Sequence, residues 1–269
     1  MKQRPPNLPD YHRPPIDEVA IAVQFSPIDG FVDDNARKYW HKVQQDYPIS
    51  ERQPRLEGPI ESLDPTPTQM IQIPVGIPAP VRTWLIADTD DFLIQVQDTR
   101  FIQNWRRREA EYEHFEKIHQ LFWNNFRKFR EYLDSAGLPQ PQIQQVEVSY
   151  INWIPDTSLI DFLRPASESK ITLSGSEQEP EDQSWSARYL IQNQAEMVQR
   201  LYAQSGPAVR AQPPHAKGAQ FALVFRGARE TGIEDSEAED VIYAARIIIV
   251  EAFTELTTDS AQAAWERFK

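Results

Sequence analysis

The sequence contains no cysteine, which removes disulfides, thiolate metal ligands and cysteine nucleophiles together. Glycine is scarce, with nine in 269 residues, and phosphate-cradling turns are correspondingly hard to build. Gly227-Ala-Arg-Glu-Thr-Gly232 lacks the Lys-Ser/Thr that completes a P-loop, and no glycines carry the spacing of a dinucleotide turn. A Gly-x-Ser-x-Gly nucleophile elbow is missing as well. Positive charge is the minority sign: 28 Lys and Arg stand against 40 Asp and Glu, a formal net charge of −12 that divides as −4 before Pro141 and −8 from it onward. A field of that sign disfavours non-specific binding to nucleic acid or anionic lipid and favours basic partners. Long hydrophobic runs are also wanting. The longest, VIYAARIIIVEAF, is too short to span a bilayer and holds Arg246 in its middle. The N-terminal MKQRPPNLPDYHRPP has no apolar core of the kind a signal peptide requires. A cytoplasmic globular protein with no membrane partner is the expectation.

What is present describes a packed chain: 40% hydrophobic and 11% aromatic residues, enough at this length for a sizeable core. Residues 1–15 form an extended Pro-rich arm, because Pro5, Pro6, Pro9, Pro14 and Pro15 deny it helix. EVAIAVQF (18–25) reads as a strand, and DDNARKYWHKVQQDYP places Ala36, Tyr39, Trp40 and Val43 on one helical face behind acidic residues. Short strands are expected at 68–73 and 81–87, then a turn at Asp90–Asp91 and an extended segment through Trp105. The clearest element is a helix from about 106 to 135. Tyr112, Phe115, Ile118, Phe122, Phe126, Phe129 and Leu133 recur along it three or four apart, and Gly137 and Pro139 close it.

The second half repeats that plan. A strand at 142–154 and a short helix or turn at 157–163 lead to three more strands within 186–193, 195–204 and 219–227. Ser236-x-x-Glu239 reads as a capping box before a long helix with Val241, Ala245, Ile248, Ala252 and Phe253, and TTDSAQAAWERFK makes a last short helix. The polar, acidic stretch 167–184 reads as a flexible connection or a hairpin tip, and 205–218 as another loop. The fold expected is therefore α+β, with two related β-α-β-β-β-α halves at 16–141 and 142–269, mostly antiparallel sheets each packed by a long helix.

Two clusters have chemical potential. EAEYEHFEKIHQLF (109–122) contains Glu-x-x-His twice, at Glu111/His114 and Glu116/His119, the spacing that supplies two metal ligands per helix in di-metal bundles. Both copies sit on one helix five residues apart, so their ligands diverge, and the two histidines lack the i, i+4 spacing that shares one zinc. A solvated helix flank is the expectation, with no metal or cofactor. Arg100, Arg106, Arg107 and Arg108, interleaved with Phe101 and Trp105, are the second cluster. Basic residues among aromatics can follow a phosphate backbone while bases stack, which makes these six the candidate partner or nucleic-acid contact. The net charge and the acidic residues that follow, placed for ion pairing, weigh toward an ion-paired surface instead. Asp33/Asp34 and Asp90/Asp91 occupy a helix start and a turn, where acidic side chains serve capping, so no catalytic residue is assigned.

PPIDEVAIAVQF (14–25) resembles the N-terminal signature of a sporadically distributed bacterial protein family of unknown function, which opens with Pro-Pro, an aliphatic residue, a variable position and Glu-Val. The C-terminal LTTDSAQAAWERF (256–268) is similar too, with Leu256, Thr257, Ala261 and Trp265 in the family's order after Phe253. Where the family carries a His in the preceding helix, this chain has Arg246 or its neighbours. The resemblance implies no catalytic residues, and a patchy distribution of this kind is shared by mobile defence and toxin–antitoxin cassettes. The expected function is a non-enzymatic interaction or scaffold protein acting through a protein partner or its own oligomer. A nucleic-acid-binding component using Arg100–Arg108 is the alternative.

Overall fold

The computed structural model describes residues 4–58, 60–62, 81–108, 111–112, 114–167, 171–173, 176–178, 180, 183–194, 197–210 and 215–269. The strand expected at 68–73 lies outside them, as do Glu109 and Glu113. In chain order the elements are β1 (Ile16–Phe25), α1 (Asp33–Val43), β2 (Ile49–Pro54), β3 (Val81–Ile86), β4 (Phe92–Gln97), β5 (Arg100–Arg106) and α2 (Phe115–Ser135). They continue with β6 (Ile143–Pro155), α3 (Leu159–Phe162), α4 (Arg164–Ser167), β7 (Ile171–Leu173), β8 (Ser176–Gln178), β9 (Trp185–Gln194), β10 (Met197–Val209), β11 (Lys217–Ala228), α5 (Asp235–Leu256) and α6 (Asp259–Ala264).

The class is α+β, as expected, but the strands build one sheet and not one per half. Among the described residues nine strands run in the order β2-β3-β4-β5-β1-β6-β11-β10-β9, every neighbouring pair antiparallel. The β1–β6 ladder joins the first half to the second, with Val19, Ile21 and Val23 opposite Tyr150, Val148 and Val146. Period-2 alternation sends these six residues and Phe101, Trp105, Phe221, Leu223 and Phe225 to one face. That face is covered by α1, α2 and α5, and nearly all of the large buried side chains lie there.

Helix α2 owes its stop to a Schellman arrangement. Gly137 sits at φ +67°, and the amides of Gly137 and Leu138 donate to the carbonyls of Asp134 (3.1 Å) and Leu133 (2.9 Å). Its start corrects the expectation by nine residues, because β5 runs on to Arg106. The amides of Arg106 and Arg107 donate to the carbonyls of Asp91 and Asp17 and so prolong the ladder. Tyr112, ahead of the helix, still packs its ring edge-on to Trp105 at 5.1 Å.

Three further expectations are corrected. The extended segment ending at Trp105 is a hairpin, β4–β5, turning at Asp98–Thr99. Ser236 lies inside the first turn of α5, whose N-cap is Glu234. Ion pairs from Asp235 to Arg130 and from Glu237 to Arg229 hold that turn, which starts two residues earlier than the capping-box pattern implies. Finally, 205–209 and 217–218 are not loop: β10 and β11 stay paired out to Val209 opposite Lys217. Pro207 is tolerated because the β9 ladder ends at Ser205, leaving β10 a single neighbour there. Within 167–184, Ile171–Leu173 pairs with Ser176–Gln178 as a short hairpin.

The Pro-rich arm docks on the opposite terminus. Leu8 is buried, the Tyr11 hydroxyl meets Thr254 Oγ1 at 2.8 Å, and the Tyr11 ring packs edge-on to Phe253 and Trp265. Main-chain bonds from His12 to Glu266 and from Arg13 to Trp265 complete the contact. No helix among the described residues is long and apolar enough to cross a membrane.

Candidate functional site

Alternation that buries apolar residues on one face must present the intervening residues on the other. In β5 these are Arg100, Ile102, Asn104 and Arg106; in β6, Gln145, Glu147 and Ser149; in β10, Arg200 and Tyr202; and in β11, Arg226. Among the described residues no helix covers this face. The chain leaving β2 crosses it instead, transverse to the strands, as a strap at 55–58 and 60–62. The Leu56 amide donates to Gln97 Oε1 (3.0 Å) on β4, and Gln97 Nε2 returns a bond to the Leu56 carbonyl (3.1 Å). The Gly58 carbonyl accepts from Arg100 Nη2 (3.2 Å) on β5 and Gln24 Nε2 (3.1 Å) on β1. A side chain at Gly58 would bring its Cβ within 2.9 Å of that Arg100 nitrogen, so the guanidinium would have to shift. The Glu61 amide then donates to Gln145 Oε1 (2.9 Å) on β6.

At the end of the crossing Glu61 reaches the centre of the site. Arg200 Nη1 bonds Glu61 Oε2 at 2.6 Å, while Tyr202 Oη (2.6 Å) and Arg226 Nη1 (3.2 Å) both reach Oε1. Arg226 Nε is held by Glu147 Oε2 at 2.7 Å, and its guanidinium lies over the Tyr202 ring, 5.1 Å from the centroid. Burial disfavours the charge on Glu61, but hydrogen bonds from Tyr202, Arg200 and Arg226 outweigh it and hold the carboxyl below its ordinary range. Burial, then the bond to Glu61, raises the Tyr202 hydroxyl. Arg100 is also buried, with its Nε lacking a partner, and burial lowers its affinity for the proton. A second polar cluster lies on the β4–β5 side of the same face. There Gln95 Nε2 donates to Asn104 Oδ1 (2.7 Å), Asn104 bonds Glu18, and Arg106 lies over the Trp84 ring at 5.4 Å.

The six basic and aromatic residues singled out from the sequence are divided by the sheet. Phe101 and Trp105 are fully buried on the helix side, against Phe122, Phe126, Phe129 and Tyr112. Arg100 lies under the strap, Arg106 and Arg108 both pair with Asp90, and Arg107 donates to the carbonyls of Ile16 (2.8 Å) and Pro14 (3.0 Å).

The two Glu-x-x-His copies are separated as well. Glu111 and His114 are exposed ahead of and at the N-cap of α2. Glu116 forms an ion pair with the buried Arg246 of α5, so it bridges the two long helices and is not on a solvated flank. His119 is buried beside Phe115 and Tyr243, and its Nε2 accepts from Trp123 Nε1 at 3.0 Å. Burial lowers its pKa to about 4; Glu116 opposes the shift and Arg246 adds to it. Among the described residues no group of three or more His, Asp or Glu is placed to hold a metal ion.

Glu61, Glu147, Arg200, Tyr202 and Arg226 carry no motif in the sequence. Their one signal is that arginines and a tyrosine recur at alternate positions in otherwise apolar strands. The chain matches no protein-family model, no curated protein and no solved structure.

Proposed function

We propose that this chain is a non-enzymatic interaction protein that assembles with a second copy of itself through the outer edge of β9. One observation carries the reading: β9 is a ten-residue edge strand with no buried residue from Trp185 to Ile191, and its largest exposed side chains sit at its middle. Tyr189 and Leu190, the fifth and sixth residues, are 39% and 60% exposed. An edge strand offers unpaired amides and carbonyls to another strand, and most proteins protect such an edge with charge or proline. β9 has Arg188 as its one charged residue and no proline. Pairing it antiparallel with its own copy about the strand centre would extend the all-antiparallel sheet and bring Tyr189 and Leu190 near their mates. It would also close the assembly at two chains. A contact of this size falls at the small end of specific interfaces, so a dissociation constant of order micromolar is expected.

The reading is tested by light scattering on a size-exclusion column over about 1–100 µM protein, the range that brackets such a constant. The expected mass rises from 31.2 kDa toward twice that value, and Leu190→Lys keeps it at the monomer. A wild-type chain that stays monomeric throughout overturns the proposal.

The strand order supports a second inference, that the two halves descend from one β-α-β-β-β-α unit, to which the first half adds an outer strand, β2. In each half the first strand pairs with the last, β1 with β5 and β6 with β11, and the others follow outward, while β1 and β6 meet antiparallel at the junction. The kinship with the sporadically distributed family, and with it a defence or toxin–antitoxin setting, is supported by the two terminal motifs. In the nucleic-acid alternative Arg106, Arg107 and Arg108 would act through their guanidinium groups alone, since the rings of Phe101 and Trp105 face the core.

A further inference from the structure

We propose that Arg200, Tyr202 and Arg226 form a carboxylate-binding site, and that Glu61 is its resident but exchangeable occupant. The donors are arranged for a planar group with two oxygens. Arg200 serves one oxygen at 2.6 Å, and Tyr202 and Arg226 serve the other at 2.6 and 3.2 Å. Charge selects an anion. Without Glu61 the described residues around the cradle are the guanidinium groups of Arg200 and Arg226, with Glu147 bonded to Arg226 and Arg100 close to both, a positive surround that attracts an anion. The planar two-oxygen spacing of the donors, and not the charge alone, is what favours a carboxylate over a tetrahedral phosphate.

The cradle and its occupant are held in different ways. Arg200, Tyr202 and Arg226 stand on β10 and β11, paired along their length to each other and flanked by β9 and β6. Their backbone positions therefore do not depend on the strap. The described strap backbone, by contrast, is fastened to the sheet through side chains of Gln97, Arg100, Gln24 and Gln145. Releasing the Glu61 amide breaks its bond to Gln145, and the described strap residues take part in no ladder of the sheet. The backbone that carries the three donors is fixed by the sheet, which limits the ordering cost to side-chain rotamers. The ligand is either a free small carboxylate or an acidic side chain of a protein partner.

The test replaces the occupant. Glu61→Ala is melted at pH 7 in sodium acetate, in a pentaglutamate peptide, in sodium phosphate and in sodium chloride, all at one ionic strength. Acetate or the peptide should raise its melting temperature by about 2–4 °C over chloride, the size expected for a weak ligand in several-fold excess over its dissociation constant. The wild-type chain should respond in the same direction but only at higher carboxylate concentration, because Glu61 competes, and Glu61→Ala/Arg226→Met should not respond. A response to acetate assigns a small-molecule ligand. A response to the peptide at lower concentration assigns an acidic segment. No response to either, or an equal response to phosphate, overturns the site. Should Glu61→Ala be unfolded in chloride, recovery of its circular dichroism in acetate counts for the site and failure in both salts against it. Glu61→Gln, which keeps a hydrogen-bonding group in place but removes the charge, must then shift in the same direction.

Discussion

The two faces of the central sheet are built from the same strands, and adjacent residues of β5 show how differently they are used. Phe101 points under α2, fully buried among Phe122, Phe126, Phe129 and Tyr39. Arg100, one residue earlier, points the other way, beneath the strap, and is also buried. The helix face gains its stability from apolar area removed from water and from dense ring contacts. On the strapped face the buried groups are arginines, glutamines and carboxylates, whose mutual bonds mostly offset their own desolvation. Burial alone therefore does not identify a core. The helix face should be costly to alter at almost any position, and the strapped face costly only where removing one group leaves another charge stranded.

The largest expected effect lies on the helix face. Phe101→Ala removes a ring from the centre of an aromatic cluster that has little room to collapse, and should cost about 3–5 kcal/mol in urea unfolding. Next is the ion pair that ties α2 to α5 over that face. Glu116→Ala leaves the Arg246 guanidinium, 7% exposed, without its carboxylate and should cost about 3 kcal/mol. Glu116→Ala with Arg246→Met should cost less than the single change, since the stranded charge goes with it. A double mutant that is worse than the single would show the pair to be more than a compensated burial.

Acid separates the faces by window. His119, on the helix side, is held neutral with a pKa of about 4 against 6.5 in an unfolded chain. As pH falls between those values the unfolded chain takes up a proton that the folded chain refuses. Stability therefore drops from about pH 6.5 down to about pH 4 and levels off below. The loss from pH 7 to pH 5 should be about 2 kcal/mol, and His119→Gln should flatten that stretch of the curve while keeping an acceptor for Trp123. Glu61, on the strapped face, has its carboxyl held below the ordinary 4.5. Its contribution is complete above that value and disappears only as pH falls through its lowered pKa. A Glu61→Gln curve should thus rejoin the wild type in strong acid and differ from it at neutral pH.

This division also explains what could be read from the sequence. The aromatic stripe of α2, the alternation of β1 and β6 and the amphipathic α5 are local patterns of period 3.6 or 2, and the helix face follows from them. The strapped face uses the same period-2 rule, but its residues are the polar half of the alternation, which in most sheets means solvent. Nothing local marks Glu61 as the residue that closes over them. Its partners lie 139 and 165 positions away, and the Arg246 partner of Glu116 lies 130 away. The six-residue cluster at 100–108 was legible as composition and misleading as a surface, because composition does not say that the sheet sends its aromatics one way and its arginines the other.

The smallest effect expected is the most useful for the comparison. Arg100→Met keeps the length and most of the volume of a buried side chain and removes its charge. The guanidinium it deletes has one hydrogen bond, at 3.2 Å to the Gly58 carbonyl, and a buried Nε with no partner. Gln24 Nε2 continues to donate to that carbonyl at 3.1 Å, so no acceptor is stranded. Relief of the desolvation cost then offsets the lost bond, and the change in unfolding free energy should stay under about 1 kcal/mol. If Arg100→Met instead costs as much as Phe101→Ala, the strapped face is a second core in its own right. Its arginines would then be fixtures of stability, and the ease with which Glu61 can leave Arg200 and Arg226 would have to be reconsidered together with them.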